Sequence, residues 1–403
     1  MERSWTQPVG VGVVTALVGF TSSFAVVLAG LQAVGADTAQ AASGLAVLCV
    51  LQGAGTIWLS RRHRTPLTLA WSTPGAALLV AAAGLQIGWS AAVGAFVVTG
   101  ALLAITGLWP WLGRTVARIP APLAQAMLAG VLLTLCLQPI TALTVSPLLV
   151  APVIVVWLGL QRLAPRWSTP AAFLLALALI VGDAVLSGQG VTLLAPAVSL
   201  TVPTVTWTAV VGIAIPLYVV TMASQNVPGV AVMSAAGYAV PWRESLLLTG
   251  LGTMAGAGAG AHAVNLAAIT AALPASAEAH PDPRRRWIAS TTAGVTYLLL
   301  APLAATLTAL VAGAPPGVIE SVAGLALLGT LAACLAAATA DPGERLPAVA
   351  AFLVAASGVS ALGIGAAFWA LLAGLAVRTV LRPHDARPAD PARSRPTGRH
   401  ARA

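Results

Sequence analysis

The sequence predicts an all-α integral membrane protein of about fourteen transmembrane elements, built as a 7+7 inverted repeat whose third and tenth elements are short and interrupted. Three observations carry this. Of 403 residues, 58% are hydrophobic and only 8% charged, with a mean hydropathy of +0.92, against roughly a quarter charged in a soluble chain. Arginine occupies every second connection between apolar runs. One short, broken apolar segment recurs at the same place in each half.

Apolar runs approaching the ~20 residues that cross a bilayer fall at 9–31, 38–60, 87–109, 119–138, 146–162 and 168–187, then at 207–233, 243–257, 286–312, 317–339, 345–361 and 363–381. The two shorter runs are 66–84 and 260–274. The first run is too long for a signal-peptide core and lacks a small-residue cleavage site, so it reads as a retained span. All 20 basic residues are Arg, and the even-numbered connections hold them: Arg61, Arg62 and Arg64; Arg114 and Arg118; Arg162 and Arg166; Arg243; Arg284 to Arg286; Arg345; and the tail beyond Arg378. The positive-inside rule then puts both termini in the cytoplasm. The net charge of +9 reads as a topology signal, with no nucleic acid implied. Residues 188–206 read as an extracytoplasmic linker between the halves, and 382–403 as a disordered basic cytoplasmic tail beside membrane lipid.

Seven is odd, so two homologous halves in tandem sit inverted, as in many secondary transporters. Val18, Ser22 and Gly35 recur at constant offset as Val220, Ser224 and Gly237. The third element of each half, 65–84 and 256–274, opens on a segment unable to form ordinary helix, meets a polar cluster and runs on as a small-residue helix. Unwound backbone at membrane depth survives only against protein or a wet cavity. A half-helix starting there aims its free N–H groups and positive dipole end into that cavity. Two such starts, converging from inverted halves, suit an anion.

The candidate site residues follow from this geometry. Ser224, Gln225 and Asn226 stand side by side in the first helix of the second half, which Pro228-Gly229 loosens just beyond; they face a substrate or hold neighbouring helices. Their counterparts are Thr21, Ser22 and Ser23, whose hydroxyls can equally bond back to their own helix, flanked by Phe20 and Phe24. In Trp71-Ser72-Thr73-Pro74-Gly75, a Ser/Thr cap followed by Pro marks a helix start with Leu67 to Trp71 extended; a Pro-kinked full span is the alternative. The period-two run Gly256 to Ala261 reads as a strand or as a small-residue helix-packing face. His262 and Asn265 follow it. His262 is the only His placed within a span and no Asp, Glu or Arg lies near midplane, hence it is a proton-coupling candidate, or else a neutral His bonding a carbonyl. Cys49, Cys136 and Cys334 each lie alone in apolar runs, so neither a disulfide nor a metal site is expected. No nucleophile–base set or phosphate loop appears, so the chain does not read as an enzyme and no cofactor is expected.

The motifs AWSTPGAALL, TMASQNVPG, GAHAVNLAAITAA and DPRRRWIAS resemble the bacterial benzoate:proton symporter family (BenE type), over about residues 5 to 381. The resemblance implies the fold of nucleobase and sulfate-type transporters, with short strands from elements 3 and 10 crossing at the substrate. It also implies a core domain at 1–113 and 207–316 and a gate domain at 114–187 and 317–381. The implied activity is import of benzoate or a similar aromatic carboxylate with a proton across the bacterial inner membrane, by core moving against gate. The ring would lie among Phe20, Phe24 and Trp71, the carboxylate beside Ser72, Thr73 and His262, and Ser22, Ser23, Ser224, Gln225, Asn226 and Asn265 would complete the lining. Dimers occur in this fold. Nucleobase transporters carry acidic residues where this chain has Gln225, Asn226 and His262, which agrees with an anionic substrate and leaves the proton on His262 or on the substrate. The alternatives are a same-fold carrier of another small anion or nucleobase-like ring, and, from other classes, a channel or a membrane enzyme.

Overall fold

A computed structural model of the chain describes residues 3–109, 111, 119–188, 194–268, 270–362 and 364–381. The tail at 382–403, together with Arg114 and Arg118, lies outside them. In the first half, α1 (Arg3–Thr21) and α2 (Phe24–Ala33) form one rod broken at Ser22-Ser23. Next come α3 (Thr38–His63), β1 (Leu69–Trp71), α4 (Thr73–Ala81) and α5 (Trp89–Leu108), then α6 (Ala121–Val145), α7 (Pro147–Leu163) and α8 (Pro165–Leu186). The second half opens with α9 (Trp207–Ala235), followed by α10 (Trp242–Ala257), β2 (Val264–Leu266) and the four-residue α11 (Ala272–Ala275). It continues with α12 (Trp287–Leu300), which passes through one 3-10 turn into α13 (Ala304–Ala312), then α14 (Val318–Thr339), α15 (Arg345–Ala356) and α16 (Ala366–Leu381). Among the described residues eight helices are long and apolar enough to cross a membrane, and α7 and α16 are shorter apolar helices.

The two halves repeat each other in detail. The α1–α2 rod and α9 end in the same way: Gly35 and Gly237 take positive φ, of 103° and 84°. Ala36 N–H then reaches back to the Leu31 carbonyl, as Tyr238 N–H reaches back to that of Met233, the left-handed stop for which glycine is suited. Helix pairing is likewise reciprocal. Helices α3 and α12 touch through Gly53 and Gly294, and α5 and α10 through Gly100 and Gly250; a Cβ on any of the four would stand 2.6–2.7 Å from the partner glycine's carbonyl oxygen. Small residues permit this backbone approach where lipid offers no hydrophobic drive for association. The remaining strong packings pair α1 with α12, α6 with α14 and α15, α7 with α8, and α15 with α16.

Three expectations are corrected. The run Gly256 to Ala261 is not a strand: α10 continues to Ala257, and a turn through Gly260, at φ 97°, leads to β2 at Val264–Leu266. The small residues serve close packing, Gly260 resting on Gly44. Pro228-Gly229 does not open α9, which runs through both residues; the disturbance lies upstream, as π-turns at Val210–Ala214 and Met222–Asn226. Proline removes an N–H and crowds the carbonyl four residues before it, and a π-turn absorbs this, while Gly229 admits the Ala267 carbonyl, 2.8 Å from where a Cβ would stand. Last, among the described residues the segment after β2 forms no half-helix matching α4, because a helix begun near Ala268 would carry Pro274 in its interior. Starting instead at Ala272 puts Pro274 in the first turn, where its missing N–H is tolerated.

Candidate substrate site

Strands β1 and β2 pair antiparallel, Leu69 with Leu266, Ala70 with Asn265 and Trp71 with Val264. A two-stranded ribbon deep in a membrane protein has two open edges, and each unmet N–H there costs several kcal/mol in lipid. Side chains close both. Leu69 N–H donates to Thr56 Oγ1 at 2.8 Å and Trp71 N–H to Gln52 Oε1 at 2.8 Å. On the other edge Val264 N–H donates to Thr253 Oγ1 at 3.0 Å and Leu266 N–H to Asn226 Oδ1 at 2.9 Å. Thr56 and Thr253 hold matching places in two similar stretches, LQGAGT at 51–56 and LTGLGT at 248–253.

Helix α4 starts directly from β1. Ser72 caps it, its Oγ accepting from Gly75 N–H at 3.2 Å and sharing a proton with Thr221 Oγ1 at 2.8 Å. Pro74 has no N–H, and Gly75 and Ala76 are satisfied by Ser72. The Thr73 N–H is left to point out of the helix start with its share of the dipole. His262 Nε2 donates to the Ser72 carbonyl at 3.0 Å; a carbonyl only accepts, so Nε2 carries the ring proton. The ring is fully buried, edge-on to Phe96 at 6.4 Å.

Beside this start lies a cavity of about 170 Å³. Its wall takes Val18, Gly19, Ser22 and Ser23 from around the α1–α2 break, Gln52 from α3, Ala70, Trp71, Thr73 and Pro74 from β1–α4, Gln225 from α9, Ala267, Ala268 and Thr270 after β2, Tyr297 from α12, and Ala326, Leu327 and Thr330 from α14. No acidic, basic or His side chain is among its lining residues. Trp71 forms one side, its indole N–H held by Ser23 Oγ at 2.8 Å, and Ser23 in turn donates to the Gly19 carbonyl.

The candidate residues divide accordingly. Ser22, Ser23, Trp71, Thr73 and Gln225 line the cavity. Phe20 and Phe24 are buried behind Trp71, ring centroids 5.8 Å from Phe20 to Trp71 and 5.4 Å from Phe20 to Phe24. Ser224 bonds back to the Val220 carbonyl and Thr21 to that of Leu17. Asn226, Ser72 and His262 hold backbone in place, and Asn265 Nδ2 donates to the Leu266 carbonyl. Gln225 makes no hydrogen bond with any described residue. Gln52, Thr270, Tyr297 and Thr330 are wall residues that sequence reasoning passed over; a Gln in mid-span of α3 was the signal for the first.

A family model described as "Benzoate membrane transport protein" (BenE) matches residues 4–380. The chain belongs to the benzoate membrane transport family. Within it, the chain is 40% identical over 366 residues to the "Inner membrane protein YdcO" of Escherichia coli strain K12, covering 90% of this chain and 93% of that one. It is 30% identical over 328 residues to the "Benzoate membrane transport protein" of Acinetobacter baylyi, covering 81% and 83%. Among solved structures it is similar to SLC26A9, with TM-score 0.67 at 12% identity, covering 94% of this chain and 65% of that longer one. It is also similar to the transmembrane domain of a cyanobacterial bicarbonate transporter, BicA, with TM-score 0.57 at 16% identity, covering 93% and 96%. At such identities the structures speak for the fold. The family member described here is thus a multi-pass membrane transporter and not an enzyme.

Proposed function

We propose that this transporter imports benzoate or a similar aromatic carboxylate together with a proton, by alternating access of a core domain against a gate domain. The observation that carries the reading is the uncharged cavity at the start of α4. At about 170 Å³ it is of the size that holds one aromatic ring, since a cavity of about 150 Å³ admits benzene. The Trp71 indole, immobilised by Ser23, offers a flat apolar face for a ring. The Thr73 N–H and α4 dipole favour a carboxylate at one end, and Gln225 and the Tyr297 hydroxyl, which bonds to no described residue, add donors. A buried acidic group in the wall would repel such a ligand; among the lining residues there is none.

The carboxylate binds as the anion and takes up its proton within the site, so that the substrate, and not His262, carries the proton across. What supports this is placement: His262 lies behind the α4 start, bonded to the Ser72 carbonyl, and is not in the wall. The wall draws α14 from the segment assigned to the gate and the remaining residues from the segments assigned to the core, so closing one against the other would enclose or release the ligand. The Arg connections support cytoplasmic termini in the bacterial inner membrane: Arg62 pairs with Glu244 at 2.8 Å and Arg64 lies 4.4 Å over the Trp287 ring, gathering three Arg-bearing connections at one end. Uptake of labelled benzoate into proteoliposomes, with and without an imposed pH gradient, tests the reading. Gradient-driven accumulation, competed by other aromatic acids, is expected; no accumulation under either condition refutes it, and competition by nucleobases or small inorganic anions alone reassigns the cargo.

A further inference from the structure

Gln52 lies midway along α3, is 1% exposed and forms part of the cavity wall. Its Oε1 accepts the Trp71 N–H at 2.8 Å. A backbone N–H can only donate, so this bond fixes which end of the amide is oxygen. The Nε2 group is buried and has no hydrogen-bond partner among the described residues. Other buried polar atoms are also unpaired, among them His262 Nδ1, Asn265 Oδ1 and Ser245 Oγ, but none of these residues belongs to the wall. A buried amide donor without an acceptor is unfavourable, and here it belongs to a side chain that borders the space where a ligand would bring one.

The second half shows that the ribbon does not require this amide. Thr249 holds the place in LTGLGT that Gln52 holds in LQGAGT, and its hydroxyl turns back to the Ser245 carbonyl at 2.9 Å. The corresponding edge of β2 is held from α9 instead, by Asn226. The glutamine thus brings one thing the repeat lacks, a donor left over beside Trp71 and the α4 start.

We propose that Gln52 is a specificity-determining residue: Nε2 donates to one carboxylate oxygen of the bound aromatic acid while Oε1 remains on β1. The other oxygen takes the Thr73 N–H, so the carboxylate is gripped from α3 and α4 together, and its plane is set relative to Trp71. This rests on the reading of the cavity as the carboxylate site. A contact that only donates selects ligands presenting an acceptor at this point.

Gln52→Glu tests it, because it keeps an oxygen for the Trp71 N–H and removes the donor at neutral pH. With the full-length purified protein, benzoate affinity by titration calorimetry at pH 7 is expected to fall about ten- to hundredfold. The deficit relative to wild type at the same pH should shrink on acidification, since a protonated carboxyl donates again and no longer repels the ligand; a benzoate-bound wild-type structure separates the lost donor from the added charge. Tyr297 is the one titratable side chain among the tyrosines, histidines and acids lining the described wall, and comparison at matched pH cancels its contribution. Wild-type affinity in a folded Gln52→Glu variant overturns the proposal, whereas failure of the wild type to bind benzoate refutes the reading of the site. If the variant does not fold, a benzoate-bound structure of the wild type decides: a carboxylate oxygen within about 3.2 Å of Nε2 supports the contact, and a carboxylate placed elsewhere overturns it.

Discussion

Asn226 and Gln225 are neighbours in one π-turn, and the structure gives them opposite duties. Asn226 is fully buried, and its Oδ1 is the acceptor for Leu266 N–H on the outer edge of β2. Asn226→Ala strands that backbone donor where neither water nor lipid can reach it, at a cost of about 1–3 kcal/mol. Taking about 2 °C per kcal/mol, the figure for a domain of about 250 residues, the melting temperature in detergent should drop by about 2–6 °C. Gln225→Ala breaks no hydrogen bond with a described residue, so its stability should stay within about 0.5 kcal/mol of wild type. It does remove a polar group from the cavity wall. The stabilisation that saturating benzoate gives the wild type should therefore shrink in Gln225→Ala and persist, from a lower baseline, in Asn226→Ala. Thermal unfolding of both variants with and without benzoate measures all four quantities. The reversed pattern, a stable Asn226→Ala beside a destabilised Gln225→Ala, would refute the assignment of the two side chains to ribbon and cavity.

Gly19 makes room for Tyr297, since a Cβ there would stand 2.2 Å from the Tyr297 hydroxyl oxygen but 3.4 Å from its ring carbon. Gly19→Ala should push the tyrosine into the cavity and abolish benzoate uptake, and adding Tyr297→Phe should restore part of it; no rescue in the double variant contradicts the steric account. His262→Gln preserves a donor for the Ser72 carbonyl, so proteoliposome uptake should stay dependent on the pH gradient, whereas uncoupled uptake in that variant would make His262 the proton carrier. Arg166 grips Glu278 through two hydrogen bonds of 2.6 and 2.7 Å, tying α8 to the loop before α12. Its hydrogen bond and charge hold the Glu278 carboxyl below the usual range. A depressed carboxylate contributes above its unfolded pKa and is lost as pH falls through the folded one, so this pair is intact at neutral pH and lost only in acid below the ordinary carboxylate range. If α8 moves against the core during transport, a disulfide between Arg166→Cys and Glu278→Cys should arrest uptake until reduced; undiminished uptake by the cross-linked protein would place both residues on one rigid body.

Much of this was legible because the physics behind it is local or periodic. Span positions follow from apolar run length, and the start of α4 from a Ser-Thr-Pro sequence that allows little else. The internal match singled out Ser22, Gly35 and Gly237, but not that the helix breaks at the first and stops at the other two. What stayed hidden was direction. Three consecutive polar residues, Ser224 to Asn226, could not be sorted by sequence into a self-bonded hydroxyl, a cavity wall residue and a clamp, because the π-turn that orients them depends on Pro228 and on Ala267 approaching Gly229. The run Gly256 to Ala261 misled for a related reason: small residues fit close packing in either a helix or a strand, and the β-branched Val264 further on was the better sign of where extension begins. Gln52 was overlooked since a lone amide in a span reads as helix-to-helix glue, and its real partner is a strand edge supplied by α3's own sequence neighbour, β1.

The inverted halves are not equivalent at the site, and the difference bears on charge. Among the described residues, helix starts of eight residues or more reach the cavity from the first half alone, α2 beside Ser23 and α4 at Thr73, whereas the second offers a four-residue turn and the hydroxyl of Thr270. A helix start carries roughly half a positive charge, so the positive ends that favour a carboxylate come from that half. Each ribbon-edge N–H is consumed by a side chain from α3, α9 or α10, so the backbone that shapes the cavity is held independently of any ligand. The groups left over are then the Thr73 N–H, the Gln52 and Gln225 amides and the Tyr297 hydroxyl, and all four residues border one cavity. A site preorganised in this way would need no reshaping to receive the aromatic acid proposed above, and with core moving against gate as proposed, the free energy of binding would be available to shift the balance between their positions.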